Sequence, residues 1–343
     1  MRILPFAYLT AGLVSIFFTI LFAISVGVVD IPFAEVIALL GEHSGMLKGM
    51  TISSAHHDIL WELRLPRVLL AGFAGAGLSL CGMVMQALVQ NPLAEPYILG
   101  VASGASLGAV AVILLGGTAF LAGIGVPLGA FIGAVAATGF VLALAGKERS
   151  ASAVRLILAG AVVSALFSAL ANLVVYLAND AEGMRSAAFW TMGSLAGARW
   201  DSLWLPGVAV LVGAVFFALR LRELNAMLLG EETAVTLGVD LIGARRRYLA
   251  LTALLTGIIV SVCGIFGFVG LIIPHAVRAV VGSDHRRVLP GVLIVGAIFL
   301  ILADVLCRVL LPSGDLPIGI LTALVGAPLF MRLLFRTENG LGR

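Results

Sequence analysis

From Ile3 to Val29 the chain carries no charged residue, Arg2 and Asp30 marking the limits. That run is longer than the roughly 7–15-residue core of a cleaved signal peptide, so it reads as an uncleaved first span. Apolar runs of the length that crosses a bilayer, about 20 residues, recur near 66–88, 97–116, 121–145, 154–178, 203–220, 248–267, 270–282, 288–310 and 317–335. The eighth, 270–282, is short. Hydrophobic residues make up 61% and charged residues 11%, against roughly 45–50% and about 25% in soluble domains. The expected fold class is an all-α membrane protein of about ten transmembrane helices. The 41 glycines suit close helix approach in lipid, with Gly72, Gly75 and Gly77 in the second span as candidates. No linker or low-complexity segment divides residues 1–343, which read as one transmembrane domain.

Of the 21 basic residues, only Lys48, Arg64, Arg67, Arg185, Arg199 and Arg308 fall on the side of the membrane opposite Arg2. The richer side is expected to be cytoplasmic, with both termini there. Segments 30–63 and 178–200 are longer than turns and read as excursions on the outer face, the first with a short surface helix. Cys81, Cys263 and Cys307 all lie in apolar runs, an odd buried set that fits neither a disulfide framework nor a metal cluster.

Chemistry is sparse within the spans. Gln86, Ser164, Ser168 and Asn172 are polar, but ionisable groups of the kind that couple ion flow are nearly absent. Asp304 stands four residues before Arg308, so a helix places both on one face as a structural ion pair. The only Gly-Lys pair, Gly146-Lys147, lacks the upstream glycine of a phosphate-binding loop, so no nucleotide site is expected in the chain. His56 and His57 lack the spacing of a defined metal site, and no metal is expected there. No constellation of catalytic groups stands out.

Two connections on the basic side are more informative. In 229–238, Glu231 and Glu232 favour a helix start through the helix dipole and Gly238 suits a helix end. With Gly230 as the other break, a short surface helix is expected. In NPLAEP, Asn91 to Pro96, two prolines stop the flanking helices and Asn91 can satisfy freed backbone groups.

The segments 64–108, 229–239, 268–286 and 302–330, in this order, resemble the signature blocks of the FecCD-type permeases. These are membrane subunits of bacterial ATP-binding cassette (ABC) importers for iron chelates, haem and cobalamin. The resemblance implies the type II importer permease fold, with an inverted repeat relating spans 2–5 to spans 7–10. It also implies a homodimer in the inner membrane, served by two separate ATPase subunits that bind ATP and Mg and by a periplasmic substrate-binding protein. The chain itself would bind no cofactor, catalyse nothing and meet no nucleic acid.

Carried over residue by residue, Leu229, Gly230, Glu231, Glu232, Ala234, Leu237 and Gly238 correspond to the ATPase-coupling segment. Arg64, Arg67 and Arg308 correspond to docking arginines for the binding protein, since each guanidinium can hold a carboxylate with two parallel hydrogen bonds. Asn91 and Leu93 match a cytoplasmic gate of the cobalamin branch. The second part of that gate carries small hydroxyl residues where this chain has Ala153 and Val154. Ser164, Ser168 and Asn172, at four-residue spacing on one helical face, are candidates for the translocation path, with Arg185 near its mouth. The implied cargo is a ferric siderophore or haem, with cobalamin the alternative. A proton-coupled secondary transporter is the rival class, and it would need a buried ionisable relay.

Overall fold

In the computed structural model, residues 3–43, 53–115, 125–145, 153–311 and 314–340 are described. The expectations placed on Arg2, Lys48, Gly146 and Lys147 lie outside those residues. The chain folds into α1 (Ile3–Ser25), α2 (Phe33–His43), α3 (Ser54–Asp58), α4 (Leu65–Val89), α5 (Val101–Leu114), α6 (Gly125–Ala145), α7 (Ala153–Leu177) and α8 (Ala181–Thr191). There follow α9 (Trp200–Leu219), α10 (Leu221–Leu228), α11 (Glu231–Thr236), α12 (Leu241–Cys263), α13 (Val269–Val281), α14 (His285–Val309) and α15 (Ile318–Gly340). A π-helical stretch, Ile59–Arg64, joins α3 to α4, and a 3₁₀ turn, Pro96–Leu99, leads into α5.

Seven helical stretches among the described residues are long and apolar enough to cross a membrane. The apolar helices Val101–Leu114, Val269–Val281 and Ile318–Arg332 are shorter and fall on the third, eighth and tenth expected spans. The eighth is short, as the sequence implied. The seventh differs: it starts at Leu241 rather than near 248, so Arg245, Arg246 and Arg247 stand on helix α12 and not in a loop. Its far end stops at Cys263, and 264–267, counted with the span, are non-helical.

The helices repeat in length. α4, α5, α6 and α7 have 25, 14, 21 and 25 residues; α12, α13, α14 and α15 have 23, 13, 25 and 23. Each half contains one short second helix, and both short helices start from a left-handed residue, Gly100 at φ 72° and Phe268 at φ 69°. The packing repeats as well, because α4 lies chiefly along α14 while its counterpart α12 lies chiefly along α6.

Lipid gives apolar side chains no reason to leave it, so contact in such a bundle rests on close backbone approach and satisfied polar groups. Glycine supplies the first. A Cβ on Gly75 would come within 2.1 Å of the Gly296 carbonyl oxygen, and one on Gly82 within 1.7 Å of the Gly270 oxygen. Gly77 abuts Val210 and Ile259, whereas Gly72 has room for a Cβ in ordinary contact with Ile301. The most extensive seam joins α5 to α6, where Gly104 faces Gly133 and Gly108 faces Gly129 across antiparallel GxxxG patterns.

Gln86 of α4 supplies the second. Pro274 lies inside α13 and has no N–H, which frees the carbonyl four residues earlier, that of Gly270. The Gln86 amide donates to the carbonyls of Gly270 (3.4 Å) and Leu271 (3.2 Å). Its oxygen accepts from the Arg278 guanidinium.

Candidate gate, coupling helix and translocation face

α11 is a single short helix between two glycines of positive φ, Gly230 at 105° and Gly238 at 82°. Its end is a Schellman motif: Gly238 N–H donates to Val235 O (2.9 Å) and Val239 N–H to Ala234 O (3.0 Å). Ala234 is fully buried against the protein, but Leu229, Val235 and Leu237 are each more than half exposed. Arg245 of α12 donates to Glu231 and pins the helix start. A cleft of about 560 Å³ opens beside α11, lined in part by Arg222, Glu223, Leu237, Asp240 and Arg247.

α10 connects this helix to the bundle through polar contacts that the sequence alone did not suggest. Burial raises the Glu223 carboxyl, but hydrogen bonds from Tyr248 (2.5 Å) and Arg220 (2.6 Å) outweigh it and hold it below the usual carboxylate range. Asn225 accepts from the His285 backbone (2.9 Å), lies 2.8 Å from its Nδ1, and donates to Asp284 (2.7 Å). Asp284 in turn caps α14 by accepting from Arg286 N–H.

The turn carrying Asn91 and Leu93 adjoins α10. α4 ends on Gln90, in the left-handed region at φ 53°, and the Gln90 amide donates to the Met227 carbonyl (3.0 Å). Asn91 Oδ1 accepts from Leu93 N–H (2.9 Å), an Asx turn. Both residues are partly exposed. Beyond them, part-buried Glu95 accepts the Phe268 N–H (2.5 Å), and Tyr97 donates to the Phe266 carbonyl (2.9 Å). The sequence marked Glu95 only as a residue between prolines; its partner lies 173 positions away.

On α7, Ser168 and Asn172 are exposed and Ser164 is partly exposed, while Val163, Phe167 and Ala171 turn into the bundle. The three polar residues do share a face. It is an outer face of the single chain, flanked by exposed Leu166, Leu170 and Leu173. Arg185 on α8 is exposed, its guanidinium carbon 5.6 Å from the Phe189 ring centroid. Ile98 of the 3₁₀ turn presses its carbonyl against Gly160 of α7, so the turn and this helix are in direct contact.

The three arginines at the opposite end of the bundle all have partners within the chain. Arg64 is buried and donates to the carbonyls of Ile24 (2.9 Å), Ser25 (3.0 Å) and Val29 (2.5 Å). Arg308, also buried, donates to Ala23 (3.0 Å) and Val26 (3.2 Å) and pairs with Asp304 at 3.1 Å. Arg67 bonds Asp304 (2.8 Å) and also Asp315. The Asp304–Arg308 pair read from their spacing thus exists and extends to a four-charge cluster. Nearby, His56 Nδ1 lies 2.8 Å from Glu35 Oε2, tying α3 to α2.

The chain matches the model of the FecCD transport family over residues 15–336. It is 38% identical over 293 residues to the hemin transport system permease HmuU of Yersinia pestis, covering 84% of this chain and 87% of that one. It is 42% identical over 276 residues to the cobalamin import permease BtuC of Halobacterium salinarum, covering 80% and 73%. The vitamin B12 import permease BtuC of Salmonella paratyphi A is 38% identical over 306 residues, with 89% and 92% covered. Among solved structures, a metal-chelate type ABC transporter in an inward-facing conformation superposes with a TM-score of 0.83 at 32% identity, covering 96% of this chain and 99% of that one.

Proposed function

Because the chain belongs to the FecCD transport family and is thereby the permease of an ABC importer, we propose that it imports an iron chelate, a ferric siderophore or haem, across the inner membrane. The observation that carries the coupling reading is α11, a rigidly capped helix whose Leu229, Val235 and Leu237 remain exposed at a bundle end rich in arginine. An apolar patch rimmed by charge is the signature of a partner surface, and an ATPase is the partner proposed for it. Two ATPase subunits bind ATP and Mg; this chain supplies no cofactor site and no catalysis. The same arginine-rich end is the cytoplasmic one in this reading, with both termini there.

The path is proposed to run between two copies of the chain. Ser168 and Asn172 on an outward face of α7 support this, since polar side chains in apolar helices usually face a partner or a water-filled cavity rather than lipid. Asn91 and Leu93 form the gate on the cytoplasmic side. The binding protein docks at the opposite end, where Arg67 is the most exposed of the three arginines and Arg64 and Arg308 brace the surface from within. Cobalamin is the second reading, supported by the likeness to two cobalamin permeases. Uptake of haem, a ferric siderophore and cyanocobalamin by proteoliposomes holding the assembled importer tests the cargo; uptake of cyanocobalamin alone overturns the iron reading.

Two mutational results are expected. Gly238→Leu forces a side chain into φ 82°, which costs about 1–2 kcal/mol, although no atom crowds the site. Membrane insertion should persist while ATPase association and uptake drop; Gly238→Asn, better suited to that conformation, should retain more of both. In a chain with its three cysteines replaced, thiols at Ser164, Ser168 and Asn172 should react with a water-soluble reagent in at least one transport state. Complete protection in every state puts this face in a packed interface.

A further inference from the structure

We propose that Glu95 is the positioning residue that makes the gate turn and α13 move as one piece. The proposal rests on the reading of Asn91 and Leu93 as the gate. Three observations meet at this carboxylate. It accepts the Phe268 N–H at 2.5 Å, and Phe268 is the residue from which α13 departs, held at φ 69°. A left-handed conformation costs a residue with a Cβ about 1–2 kcal/mol, so Phe268 keeps it only where neighbours impose it. Glu95 is one such neighbour, and the second is α15, whose Gly326 lies directly against the Phe268 side chain.

The carboxylate also joins the two halves of the repeat. It belongs to the break between α4 and α5 and bonds the matching break between α12 and α13. Tyr97 adds a second tie to the same break through Phe266. On the other side of the turn, Gln90 is bonded to Met227 at the end of α10, next to α11. A displacement of α11 therefore reaches the gate turn through Gln90 and leaves it through Glu95 for α13 and α15. The bond ties together two elements 173 positions apart in the chain, so it is a link that only the folded structure supplies.

The test uses the importer assembled with its ATPase, in a background where Cys81, Cys263 and Cys307 are replaced. Leu93→Cys is labelled with a membrane-impermeant maleimide, with and without Mg-ATP. With Glu95 present, Mg-ATP should change the labelling rate. With Glu95→Ala that change should shrink by up to about tenfold, the scale of one intramolecular hydrogen bond, while ATP hydrolysis continues. Glu95→Gln keeps an acceptor for Phe268 N–H and should preserve most of the change.

An undiminished response in Glu95→Ala overturns the proposal and leaves the gate reading intact. Equal loss in the glutamine and alanine variants also overturns it, because the requirement would then be for charge rather than for the bond. A labelling rate indifferent to Mg-ATP even with Glu95 overturns the gate reading and the proposal with it. Should the alanine variant fail to accumulate, Glu95→Asp, one methylene short of the Phe268 amide, serves in its place: a reduced response supports the proposal and a full one overturns it.

Discussion

Gly108→Leu is expected to abolish most of the folded protein. A Cβ at this position would stand 1.9 Å from the Gly129 carbonyl oxygen, and the obstacle is backbone, so no rotamer change relieves it. α5 and α6 must separate. Forcing side-chain atoms into a packed interior typically costs about 1–3 kcal/mol and sometimes more, and a backbone clash belongs at the upper end. Separation also loosens the neighbouring Gly104–Gly133 contact, one turn along the same seam. Gly139→Leu on the partner helix α6 is the control, because nothing lies within 4 Å of its added Cβ. Thermal unfolding in detergent and the yield of monodisperse protein check the contrast, and equal behaviour of the two variants refutes it.

Asp304→Asn is expected to be nearly as damaging, for an electrostatic reason. Asp304 is 1% exposed and sits between Arg67 and Arg308. Removing its charge leaves two guanidiniums, one of them buried, with Asp315 alone, which bonds only Arg67. Breaking a buried ion pair from one side costs about 3–5 kcal/mol, because the remaining charge is stranded. Asp315→Asn removes the exposed member of the cluster, its side chain 37% accessible, and should cost under about 1 kcal/mol. The midpoint of thermal unfolding separates the two. A loss in Asp304→Asn no greater than in Asp315→Asn shows that the cluster is not what holds this end of the bundle.

Much of the fold is visible in the order of residues because spans are a local property. Each apolar run must be long enough for its own crossing, and each helix break in lipid leaves a mark such as Pro92, Pro96 or Gly264. α11 was legible for the same reason: Glu231, Glu232 and Gly238 act within one short segment. The start of α12 is less legible, since Arg245, Arg246 and Arg247 extend the helix before its apolar run begins.

The roles of Arg64 and Arg308 were illegible for a different cause. Their acceptors are backbone carbonyls at the end of α1, and a carbonyl has no sequence signature. Glu95 belongs to the same class, since only the folded chain brings the Phe268 amide to it. Gln86 was noticed as polar within a span, yet the reason for it is Pro274 on another helix. The glycine seam is half legible: GxxxG stands at 104–108 and at 129–133, but nothing local to either segment shows that the two face each other.

α14 joins two arrangements that have so far been treated apart. One end is capped by Asp284 and held to α10 through Asn225; the other carries Asp304 and Arg308. Pro290 interrupts its hydrogen-bond ladder near the start, and no proline follows before Val309. Its 25 residues make a rod about 37 Å long at 1.5 Å per residue, so a tilt of about 5° about one end carries the other through about 3 Å. That is the spacing of a hydrogen bond. A rotation of that size is thus enough to make or break a polar contact at the far end of the helix, and the glycine contact of α14 with α4 at Gly75 and Gly296 is what holds it against such a tilt.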